Sequence, residues 1–173
     1  NKEQIDIEIQ VTSSEYWAER TLFYLGKMFV DQLKPGEDYQ KLEKCIHVGI
    51  LNFTLFDDEE YYSRFHFWSD QGRKMYSDKF EIHTLELPKL AKHEYPETEL
   101  LKWLQFINAE SKEEFEMAAE KSKYIKKAYE DLNRISADEE KRLEYEARER
   151  AIRDHQYFST VYKETGLREG RKE

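Results

Sequence analysis

The sequence predicts an α/β protein in which a mixed β-sheet is flanked by helices and followed by a helical C-terminal region. Three observations predict this fold. The chain opens with a strand pattern, a helix pattern and a second strand pattern, which is the order of a parallel βαβ unit. Two further strand patterns joined by a turn predict an antiparallel hairpin. Helical patterns then dominate, so we predict a core region over 1–90 and a helical region over 91–173.

The first strand is predicted from strict alternation of apolar and polar side chains over residues 5–11. One face is apolar, and the other carries the polar row Asp6, Glu8 and Gln10. Side chains two positions apart on a strand share a face and lie about 7 Å apart. Carboxylate oxygens are ligands that Mg²⁺ prefers, so the row is a candidate metal site. An ordinary solvent-facing strand has the same pattern, and this alternative stays open.

A helix is predicted from about residue 15 to residue 33, ended by Lys34, Pro35 and Gly36. Any of the hydroxyl residues 12–14 is a candidate N-cap, and Thr12 with Glu15 has capping-box spacing. The nearly continuous apolar run over 45–56 predicts a strand that is buried on both faces. Residues 61–68 and 75–87 predict the two hairpin strands, because the segment 69–72 between them has good turn residues.

The second half of the chain is predicted to be helical. Helices are expected over 98–107, after the capping-box sequence at Ser111 to Glu114, and over 124–135. A second capping-box sequence, Ser136 to Glu139, is expected to open a long charged helix toward Tyr162. Its mixed charges are typical of a solvated helix face.

Composition excludes several classes of protein. The 173 residues include 28 Lys and Arg against 37 Asp and Glu, and the net charge of −9 argues against a protein that binds nucleic acid through bulk positive charge. A nuclease remains open, because its bound metal ions offset carboxylates locally. The single Cys45 excludes a disulfide framework and indicates a cytoplasmic location. Apolar runs are too short to span a membrane, so no membrane partner is expected.

Several segments together resemble one family of nucleases. The segments Asp6-Ile7-Glu8-Ile9-Gln10, 20–28 and 32–39 are similar to the Rpn family, recombination-promoting nucleases or transposase-like proteins of the PD-(D/E)XK superfamily. The resemblance continues in order and with matching spacing through 50–56, 81–90, 136–140 and 146–149. It implies a restriction-endonuclease-like fold and a DNA endonuclease that depends on Mg²⁺ or Mn²⁺.

The resemblance also implies roles for individual residues. Glu8 matches the metal-ligand Glu of the family, and Gln10 matches the position that holds Lys or Gln. Since glutamine carries no charge, Gln10 is expected only to orient water or phosphate, with slower and more metal-dependent chemistry. Arg20 and Tyr24 share a helix face, and Arg20 is expected to contact a DNA phosphate or to pair with Glu8. A buried structural pair with a packed Tyr is the alternative.

A second metal ligand of the family is an Asp on the strand before the Glu, and the sequence begins after that point. Asp6 lies on the correct face, but it shares a strand with Glu8, whereas the family clamps the ion between two strands. The resemblance therefore implies that 1–90 is the C-terminal part of a nuclease core, N-terminally truncated and itself inactive. DNA is the expected partner and a homodimer is plausible by the same resemblance. The alternative is a non-catalytic interaction or DNA-binding protein that keeps the nuclease fold.

Overall fold

A computed structural model describes residues 2–138 and also residues 141, 143, 145 and 148. The chain divides into two compact units, Asn1–Thr98 and Glu99–Glu173. The first unit contains the sheet, and the second contains helices. Among the described residues, none of the helices has the length and apolar character needed to cross a membrane.

The first unit is a four-stranded mixed sheet, which confirms the predicted fold class. Its strands stand in the order β1-β2-β4-β3, where β1–β2 and β2–β4 are parallel and β3–β4 is antiparallel. The predicted hairpin is therefore present as β3 and β4. The elements are β1 (Glu3–Gln10), α1 (Trp17–Val30), β2 (Lys44–Leu51), β3 (Tyr62–Trp68) and β4 (Met75–Glu86), with single 3₁₀ turns at Tyr39–Lys41 and Leu87–Lys89.

Helix α1 connects β1 to β2 and packs on one side of the sheet, here called the helix face. Parallel pairing places Glu8, Gly49 and Thr84 in one row across the helix face of β1, β2 and β4. The buried Trp17 ring lies over this row, since a Cβ added at Gly49 would be 2.6 Å from Trp17 Cζ2. Gly49 is thus required for the close approach of α1 to the sheet.

On β1 the apolar face is exposed and the polar face is partly buried, which is the reverse of an ordinary amphipathic strand. Ile5, Ile7 and Ile9 are 56%, 63% and 57% exposed, whereas the polar row on the helix face is half-buried. Because β1 is also the last strand of the described sheet, it presents both a free edge and an exposed apolar face.

Helix α1 is shorter than predicted, and its predicted N-cap is wrong. It begins at Trp17 after Tyr16, and no side chain caps its first turn. The Ser14 hydroxyl instead accepts a hydrogen bond from the backbone N–H of Tyr16, and the Ser14 carbonyl accepts one from Trp17. Ser14 therefore stabilises a turn before the helix, because short polar side chains bond to nearby backbone in turns as readily as at caps.

The second strand also ends earlier than predicted, at Leu51, and residues 52–60 form a loop. The buried carboxylate of Glu86 holds this loop by accepting the backbone N–H of Leu55 at 2.6 Å. The buried Lys89 ammonium donates to Glu86 at 3.0 Å, to Asp58 at 2.8 Å and to the Glu60 carbonyl at 3.0 Å. Burial by itself lowers the pKa of the Lys89 ammonium. These hydrogen bonds outweigh the effect of burial, so the pKa of Lys89 is raised above its ordinary value.

The second unit contains α2 (Glu99–Ile107), α3 (Lys112–Glu120) and α4 (Lys123–Ser136). Its core is built by Phe106, Ala118 and Ile125, with partly buried aromatic side chains packed around them. The capping box predicted at Ser111 and Glu114 is present, with both reciprocal hydrogen bonds. Ser136 is the last residue of α4 rather than an N-cap. The rest of the predicted long helix lies outside the described residues, apart from the four isolated positions.

Candidate active site

Glu8 lies near the carboxyl end of β1, beneath the first turns of α1. Its carboxylate Oε1 accepts a hydrogen bond from Arg20 Nη2 at 2.5 Å, and 21% of the Glu8 side chain is exposed. The Arg20 guanidinium in turn lies 5.7 Å from the centre of the Tyr24 ring. The structure thus brings together three of the residues singled out in the sequence, because Arg20 and Tyr24 occupy the flank of α1 that faces β1.

Gln10 lies on the same face of β1 as Glu8, two positions further along the strand. Its amide Nε2 donates to the Thr12 carbonyl at 2.9 Å. The amide is therefore held at the end of its own strand and is not in contact with the Glu8 carboxylate. Because neighbours two apart on a strand are separated by about 7 Å, a phosphate or a water molecule fits between the two side chains.

Asp6 contacts a histidine that the sequence did not indicate. His47 on β2 is fully buried, and its Nδ1 lies 3.0 Å from Asp6 Oδ2. Its Nε2 lies 3.5 Å from the Thr21 hydroxyl of α1, and its ring packs 5.8 Å from the ring of Trp17. The contact joins residues 41 apart in the chain, so only the strand register reveals it. The one available signal is a histidine inside a continuous apolar run.

The polar row supplies part of a ligand set for a divalent ion. The carboxylates of Asp6 and Glu8 are hard oxygen donors of the kind that Mg²⁺ and Mn²⁺ bind. In the part of the chain that the structure describes, however, no three His, Cys, Asp or Glu side chains form a group able to hold a metal ion. Both carboxylates also come from a single strand, so the row fits a metal ion only as part of a larger set.

A second polar cluster lies on the sheet face opposite α1 and is centred on buried Glu81. The Glu81 carboxylate is bonded by Lys44, by His66 Nε2 at 2.9 Å and by His83 Nε2 at 2.6 Å. Burial raises the pKa of Glu81, but these hydrogen bonds outweigh it and lower the pKa to about 2. His83 Nδ1 also lies 2.8 Å from the Tyr62 hydroxyl, so the cluster ties together β2, β3 and β4.

Comparison with known proteins identifies the family of the chain. A family model described as PD-(D/E)XK nuclease family transposase matches residues 1–161. No curated protein and no solved structure matches the chain. The match confirms the resemblance at the level of the PD-(D/E)XK nucleases, and it spans both the polar row of β1 and the helices of the second unit. The chain therefore belongs to the PD-(D/E)XK nuclease family transposases.

Proposed function

We propose that the protein is a metal-dependent DNA endonuclease of the recombination-promoting, transposase-like type that the Rpn resemblance implies. The observation that supports this most is the position of Glu8. The chain belongs to a nuclease family. The Glu8 carboxylate is partly exposed on the helix face of β1, and the Arg20 guanidinium lies 2.5 Å from it. A carboxylate for the metal ion and a cation for the phosphate are the two groups that phosphodiester cleavage needs together.

Glu8 is the proposed ligand for Mg²⁺ or Mn²⁺, and the ion would supply Lewis-acid activation of the phosphate and of the attacking water. Arg20 is positioned to exchange its contact with Glu8 for one with a DNA phosphate, since a guanidinium binds both groups through the same N–H donors. Gln10 orients water or phosphate through its amide. Tyr24 supports Arg20, and Asp6, held by His47, supports the site from the same strand.

A further ligand is part of the proposal. The two carboxylates of β1 do not form a complete metal site among the described residues. By resemblance, the missing ligand is an Asp on a neighbouring strand, where it would clamp the ion from a second side. Cleavage by a protein that has only the ligands of β1 is therefore expected to be slow or absent.

The proposed partners are DNA and a second copy of the protein. Cutting two strands is most simply done by two active sites, and the exposed apolar face of β1 is a surface where copies can associate. A cytoplasmic location is proposed from the single, buried Cys45.

The experiment that tests the function is nicking of supercoiled plasmid by the full-length gene product in Mg²⁺, in Mn²⁺ and in EDTA. We expect nicking with either ion and none with EDTA. Glu8→Ala is expected to abolish it, because the ion loses its ligand on β1. Cleavage that persists in EDTA would rule out the metal-dependent mechanism.

A non-catalytic DNA-binding protein is the second candidate. It is favoured by Gln10, which by the resemblance stands at the lysine position of the superfamily's Glu-x-Lys element, and by the net charge of −9. DNA binding that is unaffected by metal, with no nicking under any condition, would support this candidate instead.

A further inference from the structure

A groove of about 240 Å³ opens on the helix face, on the flank of α1 that faces away from Glu8. Its walls come from the first turns of α1, from the loop that Glu86 and Lys89 hold, and from β3 and β4. Leu22 and Phe65 at its rim are 50% and 40% exposed, so the groove is reached from solvent. The lining residues are predominantly apolar, and three are aromatic: Trp17, Phe56 and Phe65.

Strand β4 contributes Ile82 and Thr84 to the lining, and Thr84 is the polar one of the two. It is 3% exposed, and its hydroxyl oxygen is the only buried side-chain polar atom without a hydrogen-bond partner among the described residues. A buried hydroxyl without a partner is unfavourable, because it loses its hydrogen bonds to water on folding and gains none in the protein. A ligand with both an apolar ring and a polar edge would bury the aromatic lining and give this hydroxyl a partner.

The groove lies close to the proposed metal ligand. Glu8, Gly49 and Thr84 occupy neighbouring strands in one row, and parallel strands are about 4.8 Å apart. Glu8 and Thr84 are therefore separated by about 10 Å across the sheet. The Trp17 ring covers Gly49 between them. Because α1 lies between Glu8 and the groove, a strand held at Glu8 would reach the groove by crossing α1, over more than one nucleotide.

We propose that the groove receives one unstacked base of the DNA strand that is bound at Glu8. The proposal rests on the proposed nuclease function. It adds that the protein would recognise its DNA substrate through one unstacked base in this groove. The groove is smaller than the roughly 300–1,000 Å³ of pockets for drug-sized ligands, which suits a single base. Proteins that bind unstacked bases hold them between aromatic side chains and read a polar edge by hydrogen bonding.

The test uses a 12-nucleotide single strand with one 2-aminopurine, bound by the full-length gene product in EDTA so that it is not cut. Binding is expected to change the 2-aminopurine emission about twofold or more, since its stacking changes. Ala18→Phe fills the groove from an exposed position of α1 and is expected to reduce that change at least about fivefold. Ala137→Phe, the same substitution at an exposed position in the second unit, is the matched control and is expected to leave it unaltered.

Thr84→Val is the second variant, because it keeps the shape of the side chain and removes only the hydroxyl. It is expected to weaken binding of the strand about threefold to tenfold without lowering the melting temperature. Folded Ala18→Phe protein with the wild-type emission change would overturn the proposal, and so would a wild-type protein that does not bind the strand. A change in oligomeric state with unaltered emission would assign the groove to a protein segment instead.

The two proposals fail in different ways. If Glu8→Ala abolishes nicking but Ala18→Phe leaves the emission change intact, the nuclease function stands and the base site is wrong. If Glu8→Ala nicks like the wild type while Ala18→Phe removes the emission change, the metal-ligand proposal is wrong and the base site stands.

Discussion

At the scale of single residues, two contacts decide how the acidic row of β1 is used. Arg20 neutralises Glu8 from α1, and buried His47 holds Asp6 from β2. Glu8 is the less exposed of the two carboxylates, at 21% against 45%, and charges interact more strongly where water is partly excluded. This difference supports the proposal that Glu8 rather than Asp6 is the main ligand for a divalent ion.

Glu81 leads to a prediction about acid stability. Its pKa is lowered to about 2 from an ordinary value of 4.5, so the folded state releases this proton more readily than the unfolded chain. The resulting stability is present above about pH 4.5 and is lost as the pH falls toward 2. We expect urea unfolding to show a loss on the order of 2–3 kcal/mol over this range that Glu81→Gln does not show. Equal pH dependence in both proteins would contradict the role of Glu81.

The residue contacts were only partly predictable. The pairing of Arg20 with Glu8 is one of the two contacts expected for this arginine, because the resemblance places the helix after the Glu strand beside the active site. The contact of His47 with Asp6 was not predicted, because it depends on the register of β1 against β2. The sequence pattern indicates that a strand exists but does not give its register.

At the scale of elements, the approach of α1 to β2 depends on Gly49. Alanine there would place a Cβ 2.6 Å from the buried Trp17 ring, so the helix or the ring must move. We expect Gly49→Ala to destabilise the protein by about 1–3 kcal/mol, as overpacking of a core does.

Gly26 provides the matched control within α1. A Cβ at Gly26 meets no atom within 4 Å, and the residue lies in the interior of the helix. Gly26→Ala is expected to stabilise the protein by about 0.5–1 kcal/mol, because alanine favours the helix. Thermal unfolding of both variants checks the opposite signs, and a shift of the same sign in both would contradict this packing.

Element types were predicted better than element ends. Alternation in β1 and the apolar run in β2 correctly predicted strands, and the Ser111 capping box correctly predicted the start of α3. The start of α1 was wrong because Ser14 forms a turn instead of a cap. The predicted end of β2 was wrong because the apolar residues Phe53, Leu55 and Phe56 belong to a loop and not to the strand. In this loop, Leu55 and Phe56 line the groove.

At the scale of the whole molecule, the exposed apolar face of β1 predicts self-association. Ile7, at 63% exposed, is central to the apolar face. We expect the wild-type protein to associate as its concentration rises in sedimentation velocity, and Ile7→Lys to remain monomeric, since burying an unpaired charge at an apolar interface is unfavourable. Val30→Lys changes a residue of similar exposure on α1 and is the control. A wild-type monomer at all concentrations would contradict this expectation.

The central claim concerns the whole protein as a nuclease with Glu8 at its metal site. Its most direct test is the initial rate of plasmid nicking in Mg²⁺ by the full-length gene product and two variants. Glu8→Gln keeps the size of the side chain and is expected to slow nicking about 100-fold or more. Glu3→Gln makes the same change at an exposed position of β1 and is expected to stay within about twofold of the wild type. A Glu8→Gln protein that nicks at the wild-type rate would contradict the claim.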